Sequence, residues 1–557
     1  MNWQRSIILV AIGVVAWVLM LRWSDFQNQQ DLRLAQEQPG VQQELPQSVA
    51  ADSSLPASSS LPSVADEVED TPSALSLSRE LVTITTDVLQ IVIDPLGGDI
   101  VDAKLLKHLT RMAEDGGQPI TLLQRSDSAE YIAQSGLIGG NATDTSDGRP
   151  EFYSASSNYR LIEGEDSLNV DLLYNQNGVE ITKRFEFTAS NYKIGVRYII
   201  KNYTSEPWSS TFYGQIRRDS HQPNIGTTGG MQMQPFLGAA FREADKNYSK
   251  HDFSDLDDGP VKSSLQGGWL AFVQHYFVSA WVPPQNDQNR YTLKKQSYND
   301  VLLLAFTGEK IKVDPGAIGE YKADFYVGPK DQPVLADMAD YLDLTVDYGF
   351  LWMVAKPIFV VMKLIHDFLG NWGWSIIILT IFIKILLYPL SAAGLKSMAK
   401  MRKLHPEMTR IKEMYGDDRQ RAGQEQMALF KKHKVNPVGG CFPMLLQMPV
   451  FIALFWVLSE SVEIRHSPWI GWIEDLSAKD PLFILPLVMG ASMFLMQKLQ
   501  PAPTDPMQAK IFQIMPIAFT IFCLWFPAGL VLYWTVNNLL SILQQWFVNR
   551  QTLDSTS

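Results

Sequence analysis

The sequence predicts a polytopic α-helical membrane protein that carries one large all-β domain between its first and second membrane spans. Three observations support this class. Long apolar runs lie near the N-terminus and in the C-terminal third, the middle of the chain alternates apolar and polar residues, and a strongly basic segment separates two of the C-terminal apolar runs. Apolar runs approaching 20 residues suit a bilayer, whereas a period of two is typical of strands.

Length and composition narrow the class further. The 557 residues are too many for a single core, so we expect two or more domains. The formal net charge of -12 argues against DNA or broad nucleic-acid binding. Only two cysteines occur, Cys441 and Cys523, and both lie in apolar runs, which excludes a disulfide scaffold for the polar part. No metal-binding cluster and no GxxxxGK[ST] motif is visible, so we expect no metal and no cofactor.

The N-terminal segment reads as an anchor followed by a tether. An apolar run at residues 6–21 follows Arg5 and precedes no small-residue cleavage site, so we predict an uncleaved membrane anchor over residues 1–26 with the N-terminus in the cytoplasm. Residues 27–77 are rich in Gln, Ser, Pro and acids, a composition that cannot bury enough surface to fold. We predict a disordered tether there.

Residues 78–330 change to a period of two and predict a large antiparallel β-sandwich. The sequence NQNG at residues 175–178 lies between two alternating runs and signals a hairpin. The strand-like runs include residues 89–93, 168–174, 179–188, 194–200, 269–282 and 301–306. Two acids of this domain could serve carbohydrate chemistry, but the sequence selects no pair, and most acids of such a domain are solvated.

Residues 331–371 form a transition with an amphipathic helix. The run at residues 350–369 is long enough to span, yet Lys356, Lys363 and Asp367 fall near one helical face. This pattern favours a helix that lies flat in the outer membrane interface.

The C-terminal region predicts a five-helix core over residues 372–549. Its apolar runs are residues 374–389, 441–458, 482–496, 511–526 and 528–547, which with the anchor make six spans. The segment 396–434 holds eleven cations against five acids, so the positive-inside rule puts it in the cytoplasm. We predict a cytoplasmic helical hairpin over residues 392–436 and a short cytoplasmic tail over residues 550–557. With the N-terminus inside, parity requires that residues 350–369 do not span.

Lys384 is the only charge in the run WSIIILTIFIKILLYP at residues 374–389. An ionisable group within a span is costly and is a functional candidate by default. Ten residues of helix from Trp374 put it about 15 Å along the span, at mid-depth or in the inner half. The alternative is a lysine that snorkels to the inner interface.

Other polar residues favour a hydrated groove around this cation. They are Thr380, Gln447, Gln497, Asn537, Asn538, Ser541 and Gln544, although each alone could serve helix–helix hydrogen bonding. The runs at residues 482–496 and 511–526 are short for a span, which predicts local thinning of the bilayer.

Several stretches of the C-terminal region resemble the YidC/Oxa/Alb family of membrane protein insertases in its Gram-negative form. They are LLYPLSAAGLKSMAKMRKLHPEM, GDDRQRAGQEQMALFKKHKVNPVGGCFPMLLQMPVFIALFWVL, DLSAKDPLFILPLVMG, TDPMQAKIFQIMP and LWFPAGLVLYWTVNNLLSILQQ, and they cover most of residues 372–547. The resemblance implies a bacterial inner-membrane protein with both termini cytoplasmic. It also implies a periplasmic β-supersandwich, similar to sugar mutarotase folds but without known enzyme activity.

The resemblance also implies site residues and partners. Lys384 stands where the family has a groove arginine, Thr380 matches a groove threonine, and Tyr533 with Trp534 matches a tyrosine pair that contacts substrate. With Gln447, these form the predicted substrate groove. The implied partners are nascent inner-membrane proteins, the Sec translocon, membrane lipids, and more weakly the ribosome and signal-recognition pathway, because the chain ends without a basic tail. The predicted cytoplasmic docking residues are Lys400, Arg402, Lys403, Arg410 and Lys412.

The functional hypothesis is a non-enzymatic insertase, in which Lys384 transiently draws the polar flank of a nascent segment into the groove. Two alternatives stay open at this point. A small-solute transporter would use Lys384 as an anion site, although the spans show no inverted repeat. A tethered periplasmic sugar enzyme would depend on residues 78–330, whereas an insertase would tolerate their deletion.

Overall fold

The computed structural model describes residues 80–126, 129–145, 148–221, 236–253, 259–295, 301–416, 418–433, 435, 442–499 and 506–554. The predicted anchor and tether at residues 1–77 lie outside this part of the chain. The chain divides into a small unit, Met1–Leu61 with Ala502–Ile514, and a large unit, Pro62–Pro501 with Met515–Ser557. Of the small unit only residues 506–514, the first half of a helix, are described.

Nineteen strands are described between Val82 and Pro329. They are β1 Val82–Thr85, β2 Leu89–Asp94, β3 Asp99–Leu109, β4 Pro119–Ser126, β5 Ala129–Ile138, β6 Tyr153–Ser154, β7 Asn158–Arg160, β8 Ser167–Gln176, β9 Val179–Thr188, β10 Lys193–Asn202, β11 Trp208–Asp219, β12 Gly238–Phe241, β13 Ser249–His251, β14 Val261–Gln266, β15 Leu270–Val273, β16 Phe277–Val282, β17 Gln288–Lys295, β18 Val301–Val313 and β19 Ile318–Pro329.

The strands form two sheets, so the predicted β-sandwich is confirmed. One sheet has the order β14-β17-β18-β11-β5-β4-β3-β2-β1-β7 and the other β13-β12-β15-β16-β19-β10-β9-β8-β6. All described pairings between strands are antiparallel except that of β1 with β7. The β8–β9 hairpin turns at Asn177, which has φ 51°, and Gly178, as the NQNG signal predicts. The single strand expected over residues 269–282 is wrong, because β15 and β16 are separated by a turn at residues 274–276.

A buried ion cluster ties the two sheets together. Lys183 on β9 is fully buried, and its Nζ donates to the carbonyls of Gly97, at 2.9 Å, and Ser135, at 3.1 Å, which belong to the other side of the sandwich. Arg149 pairs with the buried carboxylates of Asp99 and Asp144. Burial lowers the pKa of Lys183 to about 7 despite these acids. The two acids of this cluster are therefore paired with Arg149 on the side of the ten-stranded sheet, and Lys183 makes the contact between the sheets.

The helices follow the sandwich. They are α1 Gln332–Met338, α2 Trp352–Leu369, α3 Trp372–Leu386, α4 Tyr388–Met414, α5 Arg419–Lys432, α6 Phe442–Glu460, α7 Ile484–Lys498, α8 Pro506–Cys523 and α9 Ala528–Asp554. Helix α1 packs on the outer face of the nine-stranded sheet, where Leu335 joins a cluster with Trp269 and Tyr326. A second cluster holds α2, α3, α6, α7 and α9 together through residues such as Met362, Ile376 and Leu454.

The predicted second span does not run as one helix over residues 374–389. Helix α3 ends at Leu386 and meets α4 at an angle of 69°. Pro389 lies in the first turn of α4, where it is tolerated, but its ring would clash if α3 continued through it. Among the described helices, Gly349–Leu369 is by length and composition able to cross a membrane, and counting α3 with α4 as one broken span makes two.

The six-span count therefore stays a prediction. The two segments that the sequence predicts to be short for a span are α7 and α8, and their observed lengths concern the hypothesis of a thinned bilayer. Helix α7 has only 15 residues, whereas flanking residues extend α8 to 18. The apolar stretch of α8, Ala509–Cys523, is no longer than α7, so bilayer thinning stays a prediction for both helices.

The sandwich and the helical core meet at a polar junction. Lys330, directly after β19, forms a 2.8 Å ion pair with Glu460 at the end of α6, and the two side chains are 2% and 10% exposed. His275 Nε2 lies 2.8 Å from the carbonyl oxygen of Ser459. Val462, in the loop after α6, belongs to the hydrophobic core of the sandwich. The loop between α6 and α7 therefore inserts into the β-domain.

Candidate functional site

The candidate site is built on the inward face of α3. Asn371 caps this helix by accepting from the backbone N–H of Trp374 at 3.1 Å. Ile376, Thr380 and Lys384 recur every four residues and are buried, so they share the face that packs into the bundle. The sequence spacing thus directs the one cation of this helix inward.

The side chain of Lys384 is turned toward α9. Its Nζ donates to Ser541 Oγ on α9 at 2.7 Å, and the residue is only 9% exposed. Ser541 Oγ in turn donates to the carbonyl of Asn537 at 2.7 Å, so its hydroxyl proton is used within α9 and a lone pair receives the ammonium. The cation is therefore held by a neutral hydroxyl.

No acid compensates this charge within the described residues. None of their carboxylates lies within ion-pair distance of Lys384. Burying a charge without a counter-charge is costly unless hydrogen bonds replace its hydration. The ammonium therefore keeps an unmet preference for a further acceptor.

A second polar contact lies two turns away on α9. Gln447 of α6 donates from its amide nitrogen to Tyr533 Oη at 2.8 Å. Trp534, the next residue, contacts Phe451 and Phe519, with ring centroids 4.3 Å apart in both pairs. Gln447 and Trp534 are half-buried, whereas Tyr533 is buried.

Helix α9 presents two polar stripes. Tyr533, Asn537 and Ser541 recur every four residues and face α3 and α6. Asn538 donates to Ser492 of α7 at 3.0 Å, and Gln545 donates to the carbonyl of Leu499 at 2.9 Å. The second stripe thus fastens α9 to α7, and the first carries the predicted site.

The five groove residues predicted from the sequence are divided between these contacts. Lys384 contacts α9, and Gln447, Tyr533 and Trp534 form the α6–α9 contact, whereas the hydroxyl of Thr380 donates to Ile376 O of its own helix at 2.6 Å. The sequence places Ser541 only among the general polar residues of the last span and does not indicate its direct contact with Lys384. The four-residue spacing of Tyr533, Asn537 and Ser541 was the signal that could have indicated it.

The predicted docking residues lie on α4. Lys400, Arg402, Lys403 and Arg410 are exposed, and Lys412 is half-buried. Helices α4 and α5 pack through Leu404, Leu429 and Phe430, which turns the basic residues outward. Arg402 also reaches the carbonyl of Leu499 at 3.4 Å. Within the described residues, no group of three or more His, Cys, Asp or Glu is arranged to hold a metal ion.

A β-sandwich joined to a bundle of apolar helices with a buried cation defines a membrane protein with a large extramembrane domain. Comparison with known proteins identifies it further. The family model described as "YidC periplasmic domain" matches residues 81–361, and that described as "60Kd inner membrane protein" matches residues 364–555. The chain thus belongs to the YidC family of inner-membrane proteins.

Full-length relatives agree with this assignment. The chain is 50% identical to "Membrane protein insertase YidC" of Cellvibrio japonicus and 47% identical to the protein of the same name in Azotobacter vinelandii, each over 99% of both chains. A crystal structure titled "Active YidC insertase crystal structure with the first transmembrane domain resolved" is similar over 83% of this chain and 92% of its own, with 18% identity and a TM-score of 0.37.

The protein is therefore a membrane protein insertase of the inner membrane with a periplasmic β-domain, and the insertase hypothesis is confirmed. The relatives give no support to the alternative of a small-solute transporter. The substrates of this insertase are membrane proteins, and the protein works in a lipid environment.

Proposed function

We propose that the insertase works through a groove formed where α3, α6 and α9 meet, with Lys384 as its central cation. The observation that carries this proposal is the buried ammonium held by the neutral hydroxyl of Ser541. A carboxylate partner would cancel the charge and satisfy the cation. A hydroxyl leaves the charge intact and available to a substrate.

In this mechanism the polar flank of a nascent segment replaces contacts that the resting protein makes internally. The flank competes for Lys384, and the neighbouring Gln447–Tyr533 contact opens to admit it. Trp534 and Phe451 offer an aromatic wall to the apolar part of the segment. Release of that segment into lipid supplies the driving force, at about 25 cal/mol per Å² of apolar surface removed from water. No covalent step is needed, so we propose that the protein is not an enzyme.

The orientation and partners belong to the same proposal. The basic face of α4 supports a cytoplasmic position for the α4–α5 hairpin, and hence cytoplasmic N- and C-termini. That face is suited to docking the ribosome or the signal-recognition pathway through RNA phosphates. Cooperation with the Sec translocon rests on the family resemblance alone.

Charge reversal at the groove provides the test. Lys384→Ala, Lys384→Glu and Lys384→Arg are expressed in cells depleted of the native protein, and insertion of a substrate with an acidic translocated tail is followed by protease accessibility. Insertion is expected to fall for Ala, to fall further for Glu because like charges repel, and to survive for Arg. Lys312→Glu, the same charge change on an exposed residue of the β-domain, is the control. Unchanged insertion in Lys384→Glu would refute the cationic groove.

A further inference from the structure

The contact between Lys384 and α9 is a chain of two hydrogen bonds. Lys384 Nζ donates to Ser541 Oγ, and Ser541 Oγ donates to the carbonyl of Asn537, each at 2.7 Å. The second bond fixes the rotamer of Ser541 against its own helix. The lone pair of Ser541 is therefore aimed at α3 before any substrate arrives.

The flexible stem of lysine makes such a holder necessary. The four methylene groups of the side chain allow the ammonium to reach nearby water. Lysines near a membrane interface normally extend toward that water. Lys384 lies in the last turn of α3, only two residues before that helix ends at Leu386. In the proposed topology this end of α3 lies toward the cytoplasm, so the ammonium could reach that side, and the bond to Ser541 is the described contact that opposes this movement.

The same stripe of α9 carries a spare acceptor. Asn537 Oδ1 is buried and has no hydrogen-bond partner within the described residues. It lies one helical turn from Ser541 on the face that carries Tyr533. An ammonium has three donors, and Ser541 accepts one of them. The stripe therefore supplies acceptors for a cation at this depth but no negative charge.

We propose that Ser541 is a positioning residue, which holds the ammonium of Lys384 inside the bundle and so determines how strongly the insertase favours substrates with acidic tails. Asn537 orients Ser541 through its carbonyl. This inference rests on the proposed role of Lys384 and goes beyond it. Without Ser541, the charge is still present but moves to the cytoplasmic side, where it no longer discriminates between tails.

A double-mutant cycle tests the positioning role. Insertion of one model substrate, with either an acidic or a neutral translocated tail of equal length, is measured in full-length protein carrying Ser541→Ala, Lys384→Ala or both. The acidic-to-neutral insertion ratio is expected to fall about tenfold with Ser541→Ala, the order expected for one hydrogen bond to a charged group. Ser541→Ala is expected to change nothing further once Lys384 is already Ala. Ser541→Thr keeps the hydroxyl and should restore the ratio.

A matched control separates positioning from helix packing. Ser492→Ala removes the hydrogen bond that Asn538 makes between α9 and α7, without touching Lys384. It is expected to lower insertion of both tails alike and to leave their ratio unchanged. Ser541→Cys, which preserves side-chain size but weakens the acceptor, replaces Ser541→Ala if that variant fails to accumulate.

The outcomes are distinguishable. If Lys384→Ala lowers the ratio and the Ser541 variants do not, the positioning role is wrong and the cationic groove stands. If the effects of Ser541→Ala and Lys384→Ala are additive, Ser541 acts through packing and the inference is again wrong. If Lys384→Ala itself leaves the ratio unchanged, the cationic groove and the positioning role both fail.

Discussion

Breaking the ion pair between Lys330 and Glu460 with a single substitution is expected to cause a large loss of stability. Both side chains are buried at the junction of the β-domain and the helical core. Removing one partner of a buried pair leaves an uncompensated charge and typically costs about 3–5 kcal/mol. Lys330→Met is therefore expected to lower the melting temperature of the purified protein in detergent, as measured by intrinsic fluorescence.

Two further variants test the cause of this loss. Glu460→Gln in the Lys330→Met background removes the stranded charge and should recover much of the stability. Lys312→Met breaks the exposed pair with Asp314 and should have no measurable effect, because solvent already screens it. An equal loss in both single variants would show that burial of the Lys330 pair contributes nothing.

The buried carboxyl of Glu463, at the same junction, is expected to make the stability of the protein depend on pH. Burial, with a smaller contribution from nearby Asp331, raises the pKa of this carboxyl to about 7, and a hydrogen bond to its own backbone and the charge of Lys363 oppose the shift. A raised folded-state pKa stabilises the protein below the unfolded value near 4.5, and this contribution is lost as pH rises toward 7. Glu463→Gln should therefore flatten the change in melting temperature between pH 4.5 and pH 7.5. A wild-type melting temperature that rises across this interval in parallel with the variant would contradict the assignment.

Some residues of the candidate site could be predicted from the sequence, and others could not. The cost of a charge in an apolar run was enough to select Lys384, and family resemblance selected Tyr533 and Trp534. The partner of Lys384 was not predictable, because Ser541 lies 157 positions away and only the packing of α3 on α9 brings them together. The Lys330–Glu460 pair was missed for the same reason.

Among the helices, α2 is predicted to lie flat in the membrane interface. Its buried face holds Ala355, Phe359 and Met362, whereas its opposite face exposes an apolar stripe. That stripe consists of Met353, Val360, Leu364 and Phe368. A helix lying in the interface presents this stripe to lipid along its whole length.

Spin labels along α2 test this placement in liposomes. Labels at residues 353, 360, 364 and 368 are expected to show similar, shallow depths by oxygen and nickel accessibility. The depth should therefore not depend on how far along α2 the label stands. Depth that increases steadily from one end of α2 to the middle and then decreases would mean that α2 crosses the bilayer, and the predicted parity of spans would be wrong.

Elements with strong periodicity were predictable, and their interruptions were not. The β8–β9 hairpin was predicted because alternation and the NQNG turn agree. Residues 270–282, which hold β15, the turn and β16, contain no glycine or proline. The turn is therefore not marked by the residues that usually indicate one. The break between α3 and α4 was marked by Pro389, but the apolar run continued past it and concealed the break.

At the scale of the whole molecule, the β-domain and the candidate site use separate contacts. The groove contacts come from α3, α6 and α9, and in the part of the chain that the structure describes none comes from a strand. Deleting residues 78–330 while keeping residues 331–371 should therefore leave insertion of a simple substrate largely intact, as measured by complementation of a depleted strain. Loss of insertion despite normal accumulation of the shortened protein would show that the β-domain takes part in the groove.

The deletion also contrasts with a point change at the junction. Removal of the domain exposes Glu460 to water, which solvates its charge, whereas Lys330→Met buries that charge alone. The smaller change is therefore expected to be the more damaging to accumulation of the protein. Equal accumulation of both variants would contradict this expectation.

The predicted anchor and tether lie outside the described residues. The order of the β-domain and the helical core was predictable, because a period of two gives way to long apolar runs after residue 330. The relation between the domains was not, since the loop after α6 carries no pattern to indicate that Val462 would enter the core of the sandwich.

We expect nascent segments to pass through the groove where α3, α6 and α9 meet. The most direct measurement is site-specific photocrosslinking to ribosome-bound nascent membrane proteins from Gln447, Phe451 and Trp534, which are half-buried, with Leu539 and Leu543 on the exposed side of α9 as controls. Crosslinks from the first set that exceed those from the controls, and that decline in Lys384→Glu, are the predicted result. Equal crosslinking from both faces, unaffected by the charge at residue 384, would show that substrates do not pass through this groove.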